Sequence, residues 1–240
     1  MRGSHVYNSP YLDIQPRISA TRRGLLAVAG PPERDTHMMF LIDQSADRVE
    51  TMAYEHDIVG GQLLTPLSRY LPWSGQFAVD NGAFTSCDVP AFRTFVSRLV
   101  PVRQQCLWLA VPDVVGSARR TLEVFDALAF EFHGWPLALV VQEGQGELPI
   151  PWDRIAAVFI GGGDGWKTDE RVRHIIKAAQ LLGKHTHAGR VNTPERFAYF
   201  DSLGVDTCDG TGVSRYDHMI QAIVASRKPR PLLEASCAGE

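Results

Sequence analysis

The chain has 240 residues, 45% of them hydrophobic and 21% charged, which is enough for one sizeable α/β core and ordinary for a globular protein. A net charge of −3 leaves no global pull toward nucleic acid, so any such binding has to come from local patches. No run of 18 apolar residues and no apolar leader is visible, so neither a membrane span nor a secretory signal is expected and the cytoplasm is the default compartment.

The opening MRGSH resembles an expression tag, and residues 1–22 are set aside as an N-terminal extension. From there, short apolar runs recur: GLLAVAG (24–30), MMFLID (38–43), GQFAVD (75–80), QCLWLAVPD (105–113), PLALVVQEG (136–144), AAVFIGGG (156–163), KHTHAGRV (184–191) and GVDTCDG (204–210). Amphipathic helices are expected between the later ones, over 89–100, 118–132, 169–182, 194–203 and 215–226. Near-continuously apolar strands alternating with helices are the mark of a parallel sheet covered by helices. Eight such runs predict a compact (β/α)₈ TIM-type barrel over 23–227, without a zinc-binding subdomain and with 228–240 as a tail. The alternative is an open doubly wound sheet. Its phosphate loop has no convincing counterpart, because GGGDG (161–165) follows the sixth run and Lys167 and Thr168 are out of P-loop register.

The cysteines Cys87, Cys106, Cys208 and Cys237 are scattered, with neither a zinc-type nor a disulfide-type spacing. His185 and His187 alternate along one run, but no third ligand is nominated, so no metal and no cofactor are expected.

In a barrel of this type, chemistry sits at the C-terminal ends of the strands. The residues that close the runs are polar and acidic: Asp80, Asp113, Gln142 with Glu143, Gly161 to Gly163, His187, then Asp206 and Asp209. Each has a plainer explanation. Asp80 in DNGAF suits a turn, Asp113 a helix cap (although Ser117 is the better one), and Gln142 a solvated loop. Together they describe several carboxylates converging on one mouth, an arrangement that costs stability and so points to function.

The blocks FAVDNGAF, AVPD, VVQEG, FIGGG and KHTHAGRVNTPERFAYFDSLGVDTCDG, in that order, resemble the tRNA-guanine transglycosylase family, whose barrel exchanges guanine for a 7-deazaguanine base. The resemblance implies Asp209 as nucleophile, Asp80 as general acid/base and Phe84 stacking on the base. It further implies Asp113 and Gln142 reading the guanine edge, with Asn81 and the amides of Gly162 and Gly163 beside them. Asn81 and Ala83 replace the family's Ser and Gly, and Gly210 stands where the tRNA enzymes have Cys. Those enzymes continue into a Cys₃His zinc subdomain, and the short stretch after Asp209 carries no such cluster, so the chain is most similar to the small DNA-modifying members. DNA, single-stranded or with its guanosine flipped out, is therefore the expected partner, together with a 7-deazaguanine such as the 7-cyano form, and a homodimer or partner protein. Arg119, Arg190 and Arg215 are the candidate phosphate contacts. Base exchange on tRNA or free nucleosides, hydrolysis, and a non-catalytic base-binding barrel are the alternatives. Asp206 receives no role.

Overall fold

The computed structural model describes residues 37–83 and 88–227. Eight strands form a closed, all-parallel barrel in chain order: β1 (Met39–Ile42), β2 (Val59–Leu64), β3 (Phe77–Val79), β4 (Cys106–Ala110), β5 (Leu137–Val141), β6 (Ala157–Ile160), β7 (His185–Ala188) and β8 (Thr207–Asp209). The helices are α1 (Ala46–Glu55), α2 (Val89–Leu99), α3 (Ala118–Leu128), α4 (Asp164–Lys167), α5 (Glu170–Leu181), α6 (Pro194–Ser202), α7 (Thr211–Arg215) and α8 (Asp217–Ser226). The chain is thus a (β/α)₈ barrel of the TIM type. Among the described residues no helix is long and apolar enough to cross a membrane.

The count of eight is right, but its membership differs from the sequence expectation. The run at 24–30, like residues 1–22 and 228–240, lies outside the described residues, and the second strand is VGGQLL, to which no strand is assigned above. Two glycines and a glutamine interrupt the apolar run that marks the other strands. Those glycines answer a packing demand: a Cβ on Gly60 would stand 2.8 Å from Met39 Cβ, and one on Gly61 would stand 2.5 Å from the Gln76 carbonyl. Gln62 is fully buried; its Oε1 accepts the Trp73 N–H at 2.7 Å and its Nε2 donates to the Gln44 carbonyl at 2.8 Å. One buried amide therefore fixes the β2–β3 loop that borders the barrel mouth.

Elsewhere local chemistry sets the helix starts, at Ser117 as expected. Asp88, Ser117 and Thr193 accept N–H bonds from the first turns of α2, α3 and α6, and Pro90 and Pro194 occupy positions where no helical N–H is needed. Two boundaries shift: α3 ends at Leu128 and a 3₁₀ turn carries on to Phe132, while the helix expected over 215–226 breaks at extended Tyr216. Side chains alternate along each strand. Trp108, Ala110, Ala138, Val140, Ala157 and Phe159 fill the barrel interior, whereas Leu139, Val158 and Ile160 face the helices. Alanines against one Trp and one Phe give the large-and-small filling that a narrow barrel requires.

Candidate active site

The C-terminal ends of β3 to β8 deliver Asp80, Asp113, Gln142, Gly161, Gly162, Gly189, Arg190 and Asp209 into the walls of one cleft. A second cavity adjoins it, walled by Asp43 from the end of β1, Thr65, Arg69 and Tyr70 of the β2–β3 loop, and Ser214 and Arg215 of α7. Asp80, Arg190 and Asp209 line both. The two acids nominated as catalytic thus stand where the two cavities meet.

Asp209 is buried at the last position of β8. Its Oδ2 lies 3.0 Å from His187 Nε2, and its Oδ1 accepts the Arg190 N–H at 3.1 Å. That amide is aimed by an unusual backbone, since Arg190 adopts φ +60°. His187 is fully buried, its ring 4.5 Å from Trp108 and 4.6 Å from Phe159. Burial holds its pKa below the ordinary value, against the opposing pull of Asp209. The imidazole is therefore neutral at pH 7. With Nε2–H donated to Asp209, Nδ1 accepts from the Thr207 hydroxyl 2.9 Å away, and that hydroxyl lies 2.8 Å from His185 Nε2. One tautomer satisfies the whole chain.

Asp80 follows β3 and its Oδ1 accepts the Gly82 N–H at 3.0 Å. Desolvation pushes its pKa up to about 7; the Gly82 hydrogen bond opposes this, and the charges of Asp209, Asp113 and Asp43 add to it. Asp43 is raised as well, mainly by burial, with the Ser68 hydroxyl and Arg215 pulling the other way. Asp113 is held by two amides: Asn81 Nδ2 donates to Oδ1 at 2.9 Å and Gln142 Nε2 to Oδ2 at 2.6 Å. Burial raises its pKa too, and these same hydrogen bonds favour the carboxylate.

Of the other expected site residues, Gly162 lines the cleft in a left-handed conformation, φ +75°, while the Gly163 N–H is already donated to Glu143 Oε1 at 2.6 Å. Gly161 takes the wall position instead. Arg190 and Arg215 reach the cavities; Arg119 is exposed at the start of α3 and lines neither. Phe84 lies outside the described residues. Asp206 sits at the opposite end of β8 from Asp209, accepting the Thr186 N–H at 2.8 Å and the Thr186 hydroxyl at 2.7 Å, so it ties β8 to β7 at the barrel floor.

Two contributors were missed, and a third was weighed for a different role. Asp43 closes its apolar run just as Asp80 does, and that rule applied evenly would have found it. Lys167 entered only as part of a failed P-loop. His187, weighed as a metal ligand, instead holds Asp209. No protein-family model matches this chain, and a search of curated proteins finds no match either.

Proposed function

We propose that this protein is a guanine transglycosylase that exchanges guanine in DNA for a 7-deazaguanine base through a glycosyl-aspartate intermediate. The observation that carries the reading is the placement of Asp80 and Asp209 at the junction of two cavities. A nucleoside has a flat base on one side of its glycosidic bond and a sugar-phosphate on the other, and a site that cleaves that bond needs its acids between two compartments.

In the first compartment Asp113 accepts from N1–H and the 2-amino group. Both its oxygens keep a lone pair after binding Asn81 and Gln142. The second N–H of Gln142 and the Gly162 amide donate to O6. In the second compartment Arg215 and Arg69 meet phosphate. The choice of DNA rests on the resemblance to the small DNA-modifying enzymes, and the guanosine must be unstacked to enter, at a cost of a few kcal/mol.

Asp209 attacks C1′ with a carboxylate oxygen as the C1′–N9 bond breaks, and Asp80 gives its proton to the departing guanine. The incoming base then attacks C1′ through N9, the bond to Asp209 breaks to restore the carboxylate, and the N9 proton passes to Asp80. Two inversions retain the sugar configuration, as in retaining glycosidases. A pKa near 7 suits Asp80 to both proton transfers. His187 and the Arg190 amide hold the Asp209 carboxyl group in place.

The test is to supply labelled guanine with single-stranded DNA, duplex DNA or tRNA and resolve the products on a denaturing gel. Label is expected in DNA. Entry into tRNA alone would replace the substrate, guanine release without label entry would make the protein a hydrolase, and neither event would leave a binding protein.

A further inference from the structure

The segment between β2 and β3 carries apolar side chains that the barrel core does not use. Leu67 is 66% exposed and Leu71 81%, and between them in sequence Tyr70, 38% exposed, lines the second cavity beside Arg69. Large apolar side chains left in water together mark a binding surface.

Their exposure is held in place by a tethered backbone. The Ser68 hydroxyl donates to Asp43 Oδ1 at 2.9 Å and accepts the Thr65 N–H at 3.0 Å. Three residues on, the Gln62 amide donates to the Leu71 carbonyl at 3.2 Å and accepts the Trp73 N–H at 2.7 Å. Tyr70 lies between these two anchors, so its ring is presented at the cavity by a backbone fixed on both sides, and little ordering is left for a ligand to impose.

Charge does not distinguish this cavity. Three carboxyl groups line it, Asp43, Asp80 and Asp209, against three guanidinium groups, Arg69, Arg190 and Arg215. A strand seated there finds donors for its phosphates but little net attraction, and the whole chain stands at −3. Affinity for a strand therefore has to draw on apolar contact, and stacking of a base on an aromatic ring supplies it without regard to which base is present.

Covalent connectivity says which base. With the sugar of the reacting guanosine at Asp209 and its phosphates in the second cavity, the next nucleotide is one phosphodiester away, and the exposed residues that line that cavity include Leu67 and Tyr70. Taking the guanosine out of its stack also leaves that neighbour without a stacking partner.

Resting on the base-exchange reading, we propose that Tyr70, flanked by Leu67 and Leu71, is the platform on which the base adjoining the reacting guanosine stacks. The substrate is then a strand with an unpaired base next to its guanosine, and a free nucleoside is a poor one.

The test measures equilibrium binding of the full chain to fluorescent single-stranded DNA oligonucleotides that hold one guanosine, its two neighbours either intact or replaced by abasic residues. Wild type is expected to bind the intact strand on the order of 10- to 100-fold more tightly than the abasic-flanked one. Tyr70→Ala should bring the two strands to within about threefold of each other by weakening only the intact one. Tyr70→Phe keeps the ring and should keep the discrimination, and Leu71→Ser, a second exposed position, should reduce it by a smaller factor. Equal binding of both strands by wild type, or a Tyr70→Ala protein that loses the same factor on both, overturns the proposal. So does a Tyr70→Ala protein whose oligomeric state in sedimentation changes while its strand binding does not, since the surface then belongs to a second copy of the chain. Labelled guanine failing to enter any strand removes the base-exchange reading instead, and because flank dependence is read without turnover the two failures are distinct.

Discussion

Replacing Asp80 by Asn should stabilise the protein while destroying its activity, and by an amount that depends on pH. An acid whose folded-state pKa is about 7 against an ordinary 3.8 holds its proton where the unfolded chain has released it. Stability therefore falls as pH rises from 3.8 to about 7 and stays reduced above that. At ~1.36 kcal/mol per pKa unit the full loss is ~4 kcal/mol at pH 8, and ~1.6 kcal/mol at pH 5. Asp80 keeps partial solvent contact, which screens the charge, so about half of each figure is expected. An Asn Oδ1 can keep the hydrogen bond to the Gly82 N–H, and only the ionisation is lost. The variant should gain ~2 kcal/mol at pH 8, about 4–8 °C in Tm for a chain of this size, and under ~1 kcal/mol at pH 5. Thermal unfolding followed by circular dichroism at both pH values measures this directly. A gain no larger at pH 8 than at pH 5, or a loss at both, would refute a buried, proton-holding Asp80.

Further outcomes follow from the same geometry. The rate of adduct formation in wild type should decline as pH rises through about 7, because departure of guanine needs protonated Asp80; single-turnover kinetics across pH 5.5 to 8.5 reads the inflection. His187→Phe keeps an aromatic ring between Trp108 and Phe159 but takes a donor from Asp209, and hydrogen bonds to charged groups are worth ~1.5–3 kcal/mol, so adduct formation should slow ~10- to 100-fold; an unchanged rate sinks the positioning role. Asn81→Leu removes the donor that steadies Asp113 and should raise KM for the incoming base with little change in the unfolding midpoint beyond ~1–3 kcal/mol, read by steady-state kinetics beside a urea titration. Gly61→Ala puts a methyl group into the Gln76 carbonyl and should cost ~1–3 kcal/mol in urea unfolding; a neutral substitution means the β2–β3 contact is looser than described.

What could be read from the sequence divides along the kind of burial. Strands such as LALVV and AVFI are legible because both their faces are covered, which forces a continuous apolar run. VGGQLL is illegible because its glycines and Gln62 answer tertiary demands, the closeness of Met39 and the Gln76 carbonyl and the tethering of a loop, none of which has a local signature. Within the site, Asp80, Asp113, Gln142 and Asp209 were found because an acid or amide at a strand's end lies where a barrel keeps its mouth. Lys167 was not, because it arrives from α4, beyond its strand, and nothing in GGGDGWK says that the lysine turns inward. GVDTCDG shows both outcomes in seven residues: Asp209 ends the strand and enters the cleft, while Asp206 precedes it and binds Thr186 at the other end of the barrel.

Incubating the protein with a single-stranded guanosine-containing oligonucleotide in the absence of any incoming base, quenching in denaturant and mapping the cross-linked peptide by mass spectrometry tests the glycosyl-enzyme most directly. The sugar is expected on Asp209, with one guanine released per adduct and no adduct in Asp209→Ala. A sugar attached to Asp43, Asp80 or Asp206, or an adduct that survives Asp209→Ala, would contradict the assignment of the nucleophile.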